Sequence, residues 1–252
     1  MAENIIYDCR WSGDCDEKFI DDFNHVQDQV FRGKHTRESF KHQYIDNIYG
    51  PSVLVVVYMD DKPVAARGLW RNDVCDKEAY QPGRTGVLAE CRGKGIFTTM
   101  TLQAISLLPK DAVIYNFPNQ NSFPGYIKMG WVNINKYYLR LFLSSKAFSQ
   151  EHPIKMDENY FNWWVKGRSE FRYVRKGGTY YLVRKYPKPF CYKVVAQVEK
   201  DIALNCKKGP LFAVYLYPSH ETVFYNRHSL PLRPVVKNSD IRYIPLWKID
   251  AI

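Results

Sequence analysis

The stretch that decides the fold, Val87 to Phe97, reads Val-Leu-Ala-Glu-Cys-Arg-Gly-Lys-Gly-Ile-Phe. A short apolar segment leads into a turn that contains Gly93 and Gly95, and a helix-like run follows from Thr98 to Leu108. Glycine lets the backbone approach a ligand closely, and the first N–H groups of a helix point outward at the positive end of its dipole. The stretch therefore predicts an anion-binding turn between a strand and a helix.

A second motif lies further along the chain, from Asn119 to Trp131, and reads Asn-Gln-Asn-Ser-Phe-Pro-Gly-Tyr-Ile-Lys-Met-Gly-Trp. The apolar run before it, Asp111 to Phe117, is typical of a buried strand. We expect Ser122 to cap a helix and Gly130 to end it in a left-handed conformation. Trp131 is then expected to pack in the core.

The two motifs together resemble those of the GCN5-related N-acetyltransferases, the GNAT superfamily. That family has an Arg/Gln-x-x-Gly-x-Gly/Ala turn after its fourth strand, and here Arg92, Gly95 and Phe97 occupy the matching positions. It also has an Asn-x-x-Ser-x-x-x-Tyr-x-x-x-Gly-aromatic segment, which Asn119 to Trp131 matches in full. Phe97 departs from the small residue that the family has there. The resemblance extends from Glu17 to Leu143.

The resemblance implies an α/β (α+β) fold, with a mixed, mostly antiparallel sheet flanked by helices and a second, smaller β-rich part. The predicted elements follow the same order. A helix over Glu17 to Phe31 and a second helix come first, followed by a hairpin. The next strand, within Glu78 to Leu88, is expected to be interrupted at Pro82, and in the family this strand splays from the one after it and opens a groove. A final strand pair over Asn133 to Leu143 completes the order, and further along the chain we predict a hairpin around Gly177 and Gly178 and a strand over Glu221 to Tyr225. We predict an acyl-coenzyme A-binding domain over residues 1–145 and a basic, β-rich domain over residues 146–252. The second part is apolar enough to fold, and we expect a degenerate copy of the fold that shapes the acceptor site.

The resemblance also implies a donor site for acetyl-coenzyme A. The turn would hold the pyrophosphate and the preceding strand would bind the pantetheine amides, so the expected contacts are Val87, Leu88, Ala89, Arg92, Gly93, Lys94, Gly95, Ile96, Phe97, Asn119 and Tyr126. Asn119 either hydrogen-bonds the donor or caps the helix. Tyr126 is expected to be the general acid, because the reference pKa of a phenol, about 10, is close to that of the leaving thiol.

The general base is not fixed by the sequence. Glu78 lies on the strand that leads to the turn, where some relatives place a carboxylate that works through water, and Glu90 lies in the loop. His25, His35 and His42 lie on or between the first helices, which border the acceptor site in this family. No Ser/His/Asp order accompanies a nucleophile elbow, so we expect direct attack rather than a covalent intermediate.

Charge is unevenly distributed along the chain. Residues 1–145 contain 17 Lys and Arg and 17 Asp and Glu, so the formal net charge of +10 lies in residues 146–252. This asymmetry predicts either an anionic partner or simply a basic surface. No apolar run is long enough to cross a bilayer. The six cysteines are scattered and the first residues do not resemble a secretory signal, which predicts a cytoplasmic protein without a metal site.

The leading hypothesis is an N-acyltransferase that moves an acetyl group from coenzyme A to a primary amine in a ternary complex. A small, anionic acceptor such as an amino sugar fits the basic second part best, before amino acids, polyamines or a protein lysine. One alternative is a non-catalytic module that binds nucleic acid or anionic lipid. The other is transfer from an aminoacyl-tRNA, which the intact coenzyme turn disfavours. Under the leading hypothesis we expect no nucleic-acid partner.

Overall fold

A computed structural model describes residues 4–33, 35–74, 76–134, 138–142, 156–185, 190–210, 213–219, 233–241 and 244. The chain divides into two compact units. The first comprises Met1–Ile134 and Pro234–Arg242 with Ile252, and the second comprises Asn135–Arg233 and Tyr243–Ala251.

Both units are built on β-sheets, and helices connect some of the strands. In chain order the strands are β1 (Ile5–Trp11), β2 (Val53–Met59), β3 (Lys62–Arg71), β4 (Ala79–Val87), β5 (Val113–Asn116), β6 (Val132–Asn133), β7 (Tyr138–Phe142), β8 (Phe171–Lys176), β9 (Thr179–Lys185), β10 (Cys191–Val198), β11 (Lys207–Lys208), β12 (Val214–Ser219) and β13 (Val235–Lys237). The helices are α1 (Glu17–Phe31), α2 (Arg37–Phe40), α3 (Ile96–Ser106), α4 (Phe123–Lys128), α5 (Glu158–Tyr160) and α6 (Lys200–Ala203). Single π-helical turns, Lys41–Ile45 and Phe161–Val165, extend α2 and α5.

The sheet of the first unit has seven strands in the order β1-β2-β3-β4-β5-β13-β6. All neighbours are antiparallel except β4 and β5, which run parallel. The predicted hairpin forms β2 and β3, and its turn places Asp60 and Asp61 at positive φ. The mixed, mostly antiparallel sheet flanked by helices confirms the predicted fold class.

Helices cover both faces of this sheet, so the side chains on both faces of β2 are buried. Val53, Val55 and Val57 pack in a core with residues of α3 such as Met100. The residues between them point to the opposite face, where α1 packs against β2, β3 and β4. Helix α1 has the predicted bounds, and the side chain of Asp16 accepts a hydrogen bond from the N–H of Phe19 at its start.

Strands β4 and β5, the parallel pair among the described strands of this sheet, border a cleft. Strands β4 and β5 are paired only at Ala79 with Val113 and at Tyr80 with Ile114. Pro82 follows on β4 and has no N–H to continue the ladder. Beyond this point the two strands diverge, as the family resemblance implied. Pro82 does not interrupt β4 itself, contrary to our expectation, because β4 stays paired with β3 up to Val87.

The second unit contains a six-stranded sheet in the order β11-β8-β9-β10-β12-β7. Strands β8 and β9 form the hairpin that was predicted around Gly177 and Gly178, and both glycines have positive φ. A core of Val174, Tyr181, Val183 and Val194 packs on one face. The predicted strand over residues 221–225 lies outside the described residues.

Two strands lie in units other than those expected from a boundary at residue 145. Strand β7, predicted to complete the first domain, pairs with β12 in the second sheet. Strand β13 comes from the predicted second domain, yet it pairs with β5 and β6 in the first sheet. Val235 and Val236 of β13 are at most 1% exposed there, so this late segment completes the first unit's core. Among the described residues, no helix is long and apolar enough to span a membrane.

Candidate active site

The turn between β4 and α3 has the geometry of an anion-binding loop. Gly93 has a φ of 80° and Gly95 a φ of 77°, in the left-handed region that only glycine adopts without strain. A Cβ on either glycine would meet nothing within 4 Å, so the turn faces open space. The N–H groups of Thr98 and Thr99 both donate to the carbonyl of Gly95, which begins the helix. The preceding N–H groups are left for a ligand.

A cavity of about 700 Å³ opens beside this turn, in the cleft between β4 and β5. Its walls come from the end of α1, the second half of β4, the start of α3, and the segment from Asn116 to Tyr126. Five of the residues predicted from the sequence line it: Val87, Arg92, Phe97, Asn119 and Tyr126. The other predicted coenzyme contacts belong to the strand end and the turn rather than to the cavity wall: Leu88, Ala89, Gly93, Lys94, Gly95 and Ile96.

The phenol of Tyr126 lies in the cavity wall although its side chain is only 1% exposed. Its oxygen receives hydrogen bonds from Arg67 Nη2 at 2.5 Å and from Asn116 Nδ2 at 2.7 Å. The ring packs edge-on against Trp131 and Phe97, with centroids 4.7 Å and 5.8 Å away. These contacts hold the phenol oxygen in one position at the cavity.

Phe97, the departure from the family motif, is accommodated by a glycine on the facing helix. A Cβ on Gly125 would lie 3.1 Å from Cε1 of Phe97, so a larger residue on α4 would collide with the ring. The guanidinium carbon of Arg67 lies 5.0 Å from the centre of the Phe97 ring, on its face. The aromatic ring therefore belongs to the cavity wall without disturbing the turn.

Asn119 and Ser122 organise the start of α4. The side-chain oxygen of Asn119 accepts hydrogen bonds from the N–H groups of Asn121 and Ser122, both at 3.0 Å. This is the capping role that the sequence left open for Asn119. Ser122 occupies the N-cap position, but its side chain makes no capping hydrogen bond, and its hydroxyl bonds Asn119 instead. The expected serine cap is therefore wrong, whereas Gly130 ends the helix at a φ of 81° as predicted.

Glu78, the candidate base, is separated from the cavity. Its carboxylate accepts a hydrogen bond from Tyr80 at 2.7 Å and forms an ion pair with Arg71 at 3.1 Å. It lies at the opposite end of β4 from Val87 and is absent from the described cavity wall. Burial and the Glu78 carboxylate together raise the pKa of Tyr80. The contacts of Glu78 are those of a structural ion pair.

The three histidines considered as bases also lie outside the described cavity wall. His25 and His42 are exposed, and His35 is partly buried in the loop after α1. Burial, and then the neighbouring charge of Arg84, lower the pKa of His35, while Asp28 opposes the shift. Among the described residues that line the cavity, none is an aspartate, glutamate or histidine.

The cavity wall also contains Arg84, an arginine that the sequence did not point to. Residues Arg84 and Thr85 of β4 face the single residue Arg67 of β3, which makes a β-bulge. Arg84 has a φ of 46°, and Gln27 of α1 donates a 2.6 Å hydrogen bond to its carbonyl oxygen. Its Nη1 atom is buried and has no hydrogen-bond partner within the described chain. Arg67, which bonds Tyr126, was not predicted either. The sequence did contain a signal for it, because a charged residue stands inside the apolar run Val64 to Trp70.

The architecture matches solved structures of the GNAT fold over nearly the whole chain. A probable N-acyltransferase from Enterococcus faecalis V583 aligns with a TM-score of 0.58 and 9% identity, covering 94% of this chain and 72% of that one. A GCN5-related N-acetyltransferase from Kribbella flavida aligns with a TM-score of 0.55 and 12% identity, covering 91% and 71%. A third, from Anabaena variabilis ATCC 29413, aligns with a TM-score of 0.51 and 11% identity, covering 91% and 72%.

These similarities show the fold. The first unit, with its glycine turn and its diverging parallel strands, has the fold of the GCN5-related N-acetyltransferases. No protein-family model matches the sequence, and no curated protein sequence matches it. That the second unit is a degenerate copy of the same fold stays a prediction.

Proposed function

We propose that the protein is an N-acyltransferase that uses an acyl-coenzyme A donor, with acetyl-coenzyme A as the simplest case. The observation that carries the proposal is the position of the Tyr126 phenol, which is fixed in the wall of a cleft that is also lined by Arg92 and Phe97, on either side of the glycine turn. A phenol at that place is suited to protonate a departing thiolate.

The donor site is supported by the shape and chemistry of the cleft. The turn at Gly93 and Gly95 offers backbone N–H groups to the pyrophosphate, and the helix dipole of α3 adds to the attraction. Arg92 lines the cavity and its Nε donates to the carbonyl of Val87 at 3.1 Å, which closes the turn. A volume of about 700 Å³ falls in the range of small-molecule sites.

The proposed reaction is direct transfer between two substrates bound together. The neutral amine attacks the thioester carbonyl, the C–N bond forms, and the C–S bond breaks. Tyr126 gives its proton to the leaving thiolate, and the proton that the amine loses passes to water. Since no carboxylate or imidazole lines the described cavity wall, we assign the role of base to solvent and not to Glu78.

We further propose that the acceptor carries a negative group, as an amino sugar phosphate or an amino acid does. Arg84 and Arg92 line the cavity, whereas no acidic residue does within its described wall. The guanidinium of Arg84, whose Nη1 has no hydrogen-bond partner within the described chain, supplies a positive charge that would attract a carboxylate or phosphate. A cationic polyamine would meet repulsion at the same place. The basic second unit supports the same proposal by charge alone.

A thiol-release assay with acetyl-coenzyme A tests the proposal. The amine panel pairs an amino sugar with its phosphate ester and an amino acid with its amide, so that each pair differs in one negative group. We expect amine-dependent thiol release, an acetylated product by mass spectrometry, and a lower KM for the anionic member of each pair. Salt-sensitive nucleic-acid binding without any turnover would instead support a non-catalytic module.

We also propose a cytoplasmic location. Four of the cysteines that the structure describes are free thiols: Cys9, Cys15, Cys191 and Cys206. Free thiols are usual in a reducing compartment. Fractionation of cells that produce the tagged full-length protein tests this, and recovery in the membrane or secreted fraction would contradict it.

A further inference from the structure

Arg67 is a fully buried cation in the middle of β3, with 0% exposure. Its Nη1 donates to Thr101 Oγ1 and its Nη2 to the phenol oxygen of Tyr126, both at 2.5 Å. No carboxylate of the described residues forms an ion pair with it. Removing a charge from water is costly unless partners compensate, so a buried guanidinium that faces only neutral oxygens needs an explanation.

The hydrogen bonds around Tyr126 fix the direction of its proton. The side-chain oxygen of Asn116 accepts from the N–H of Phe117 at 2.8 Å, which leaves the NH2 group of Asn116 facing the phenol. A guanidinium is a donor only. The phenol oxygen therefore accepts from both neighbours, and its own O–H cannot point at either of them. It points away from Arg67 and Asn116, and Tyr126 lines the cavity.

We propose that Arg67 is a positioning residue that makes Tyr126 a proton donor, an inference that rests on the proposed acyl transfer. Before transfer, Arg67 and Asn116 direct the Tyr126 O–H toward the cavity. During transfer, the O–H bond of Tyr126 breaks and an S–H bond forms on the leaving thiolate. The electron pair stays on the phenolate oxygen, 2.5 Å from the Arg67 guanidinium. The phenolate then gives the buried Arg67 guanidinium the anionic partner that it lacks before transfer. A proton from water afterwards restores the phenol.

Other contacts of Arg67 connect this proton donor to the coenzyme turn. Thr101 Oγ1, which accepts from Arg67, donates to the carbonyl of Phe97 at the start of α3. The guanidinium carbon also lies 5.0 Å from the ring centre of Phe97 and 5.5 Å from that of Tyr126. A planar guanidinium can make these contacts together, whereas the point charge of a lysine cannot. Arg67 therefore holds the phenol and the start of the helix in register.

A double-mutant cycle tests whether Arg67 acts through Tyr126. Arg67→Gln should lower kcat on the order of 10–100-fold, while the melting-temperature shift given by coenzyme A stays near that of the wild type. In the Tyr126→Phe background the same substitution should lower kcat no further, because the group it positions is gone. Arg67→Lys should recover part of kcat. The matched control is Arg71→Gln on the same strand, whose arginine pairs with Asp73 outside the cavity.

A second variant tests the same inference without removing the buried charge of Arg67. Asn116→Asp preserves shape and the bond from Phe117 but replaces a donor by a carboxylate, which would draw the Tyr126 O–H away from the cavity. We expect a folded protein with kcat reduced as far as in Tyr126→Phe. Equal losses from Arg67→Gln in both backgrounds, or full activity of Asn116→Asp, would overturn the inference. A wild type that releases no thiol would overturn the proposed function first.

Discussion

Replacing Tyr126 by phenylalanine removes one oxygen from the candidate site and leaves the ring in place. The ring contacts with Trp131 and Phe97 do not involve the hydroxyl, so packing should survive. What disappears is the proposed proton donor and the acceptor of two buried hydrogen bonds, from Arg67 and Asn116. The substitution should therefore change turnover and stability while the coenzyme site stays intact.

The expected magnitudes follow from these contacts. Loss of a general acid costs about 10²–10⁴-fold in kcat, or about 3–5 kcal/mol in the barrier. Each buried donor left without an acceptor costs about 1–3 kcal/mol, so the free energy of unfolding should fall by about 2–6 kcal/mol. For a chain of this size the melting temperature should fall on the order of 10 °C. Saturating coenzyme A should still raise it, because the turn is unchanged.

The assay is amine-dependent thiol release for kcat, with differential scanning fluorimetry for melting temperature with and without coenzyme A. Tyr115→Phe is the matched control, because Tyr115 is equally buried on β5 and its hydroxyl donates to the carbonyl of Asn72 at 3.0 Å. It should lose stability but keep kcat within about twofold. Wild-type turnover in Tyr126→Phe would remove Tyr126 from the mechanism. Loss of the coenzyme-induced shift would show that the phenol acts in binding instead.

Four further variants and conditions give equally direct outcomes. Gly95→Glu should abolish the coenzyme-induced melting shift, whereas Gly95→Gln, with the same bulk and backbone strain, should retain more of it; equal loss would mean that charge is irrelevant there. Arg84→Gln should raise KM for the anionic acceptor on the order of tenfold and leave donor binding unchanged, as calorimetry can check. Truncation after Leu143 removes β13, and circular dichroism should show a first unit that no longer melts cooperatively. Because the pKa of His35 is lowered in the folded protein, the unfolded chain binds a proton at this histidine more readily. The free energy of unfolding, measured by urea titration, should therefore fall as the pH drops below 6.5. The fall should be smaller in His35→Gln.

The sequence predicted the parts of the site that local chemistry determines. The turn at Gly93 and Gly95 requires backbone conformations that other residues resist, so the pattern of glycines before a helix is informative. The helix end at Gly130 follows from the same argument. Tyr126 was located by the resemblance of its whole segment to a known motif, and the structure places it in the cavity.

The remaining parts depend on pairings between distant segments. Arg67 meets Tyr126 only because β3 and α4 are brought together, across 59 residues of sequence. Arg84 enters the cavity through a β-bulge, and a register shift of this kind changes which face a residue occupies. The return of Val235 to Lys237 to the first sheet is likewise a long-range pairing. A periodic apolar pattern identifies such a strand but not its neighbours.

The most direct test of the proposed donor site is a crystal structure of the protein with coenzyme A, because the glycine turn and Tyr126 would contact two different parts of one ligand. We expect pyrophosphate oxygens within hydrogen-bond distance of the N–H groups between Gly93 and Phe97. The pantetheine arm should lie in the cleft between β4 and β5, with its sulfur facing the phenol oxygen of Tyr126. Coenzyme bound on any other surface, or a sulfur directed away from Tyr126, would contradict the account.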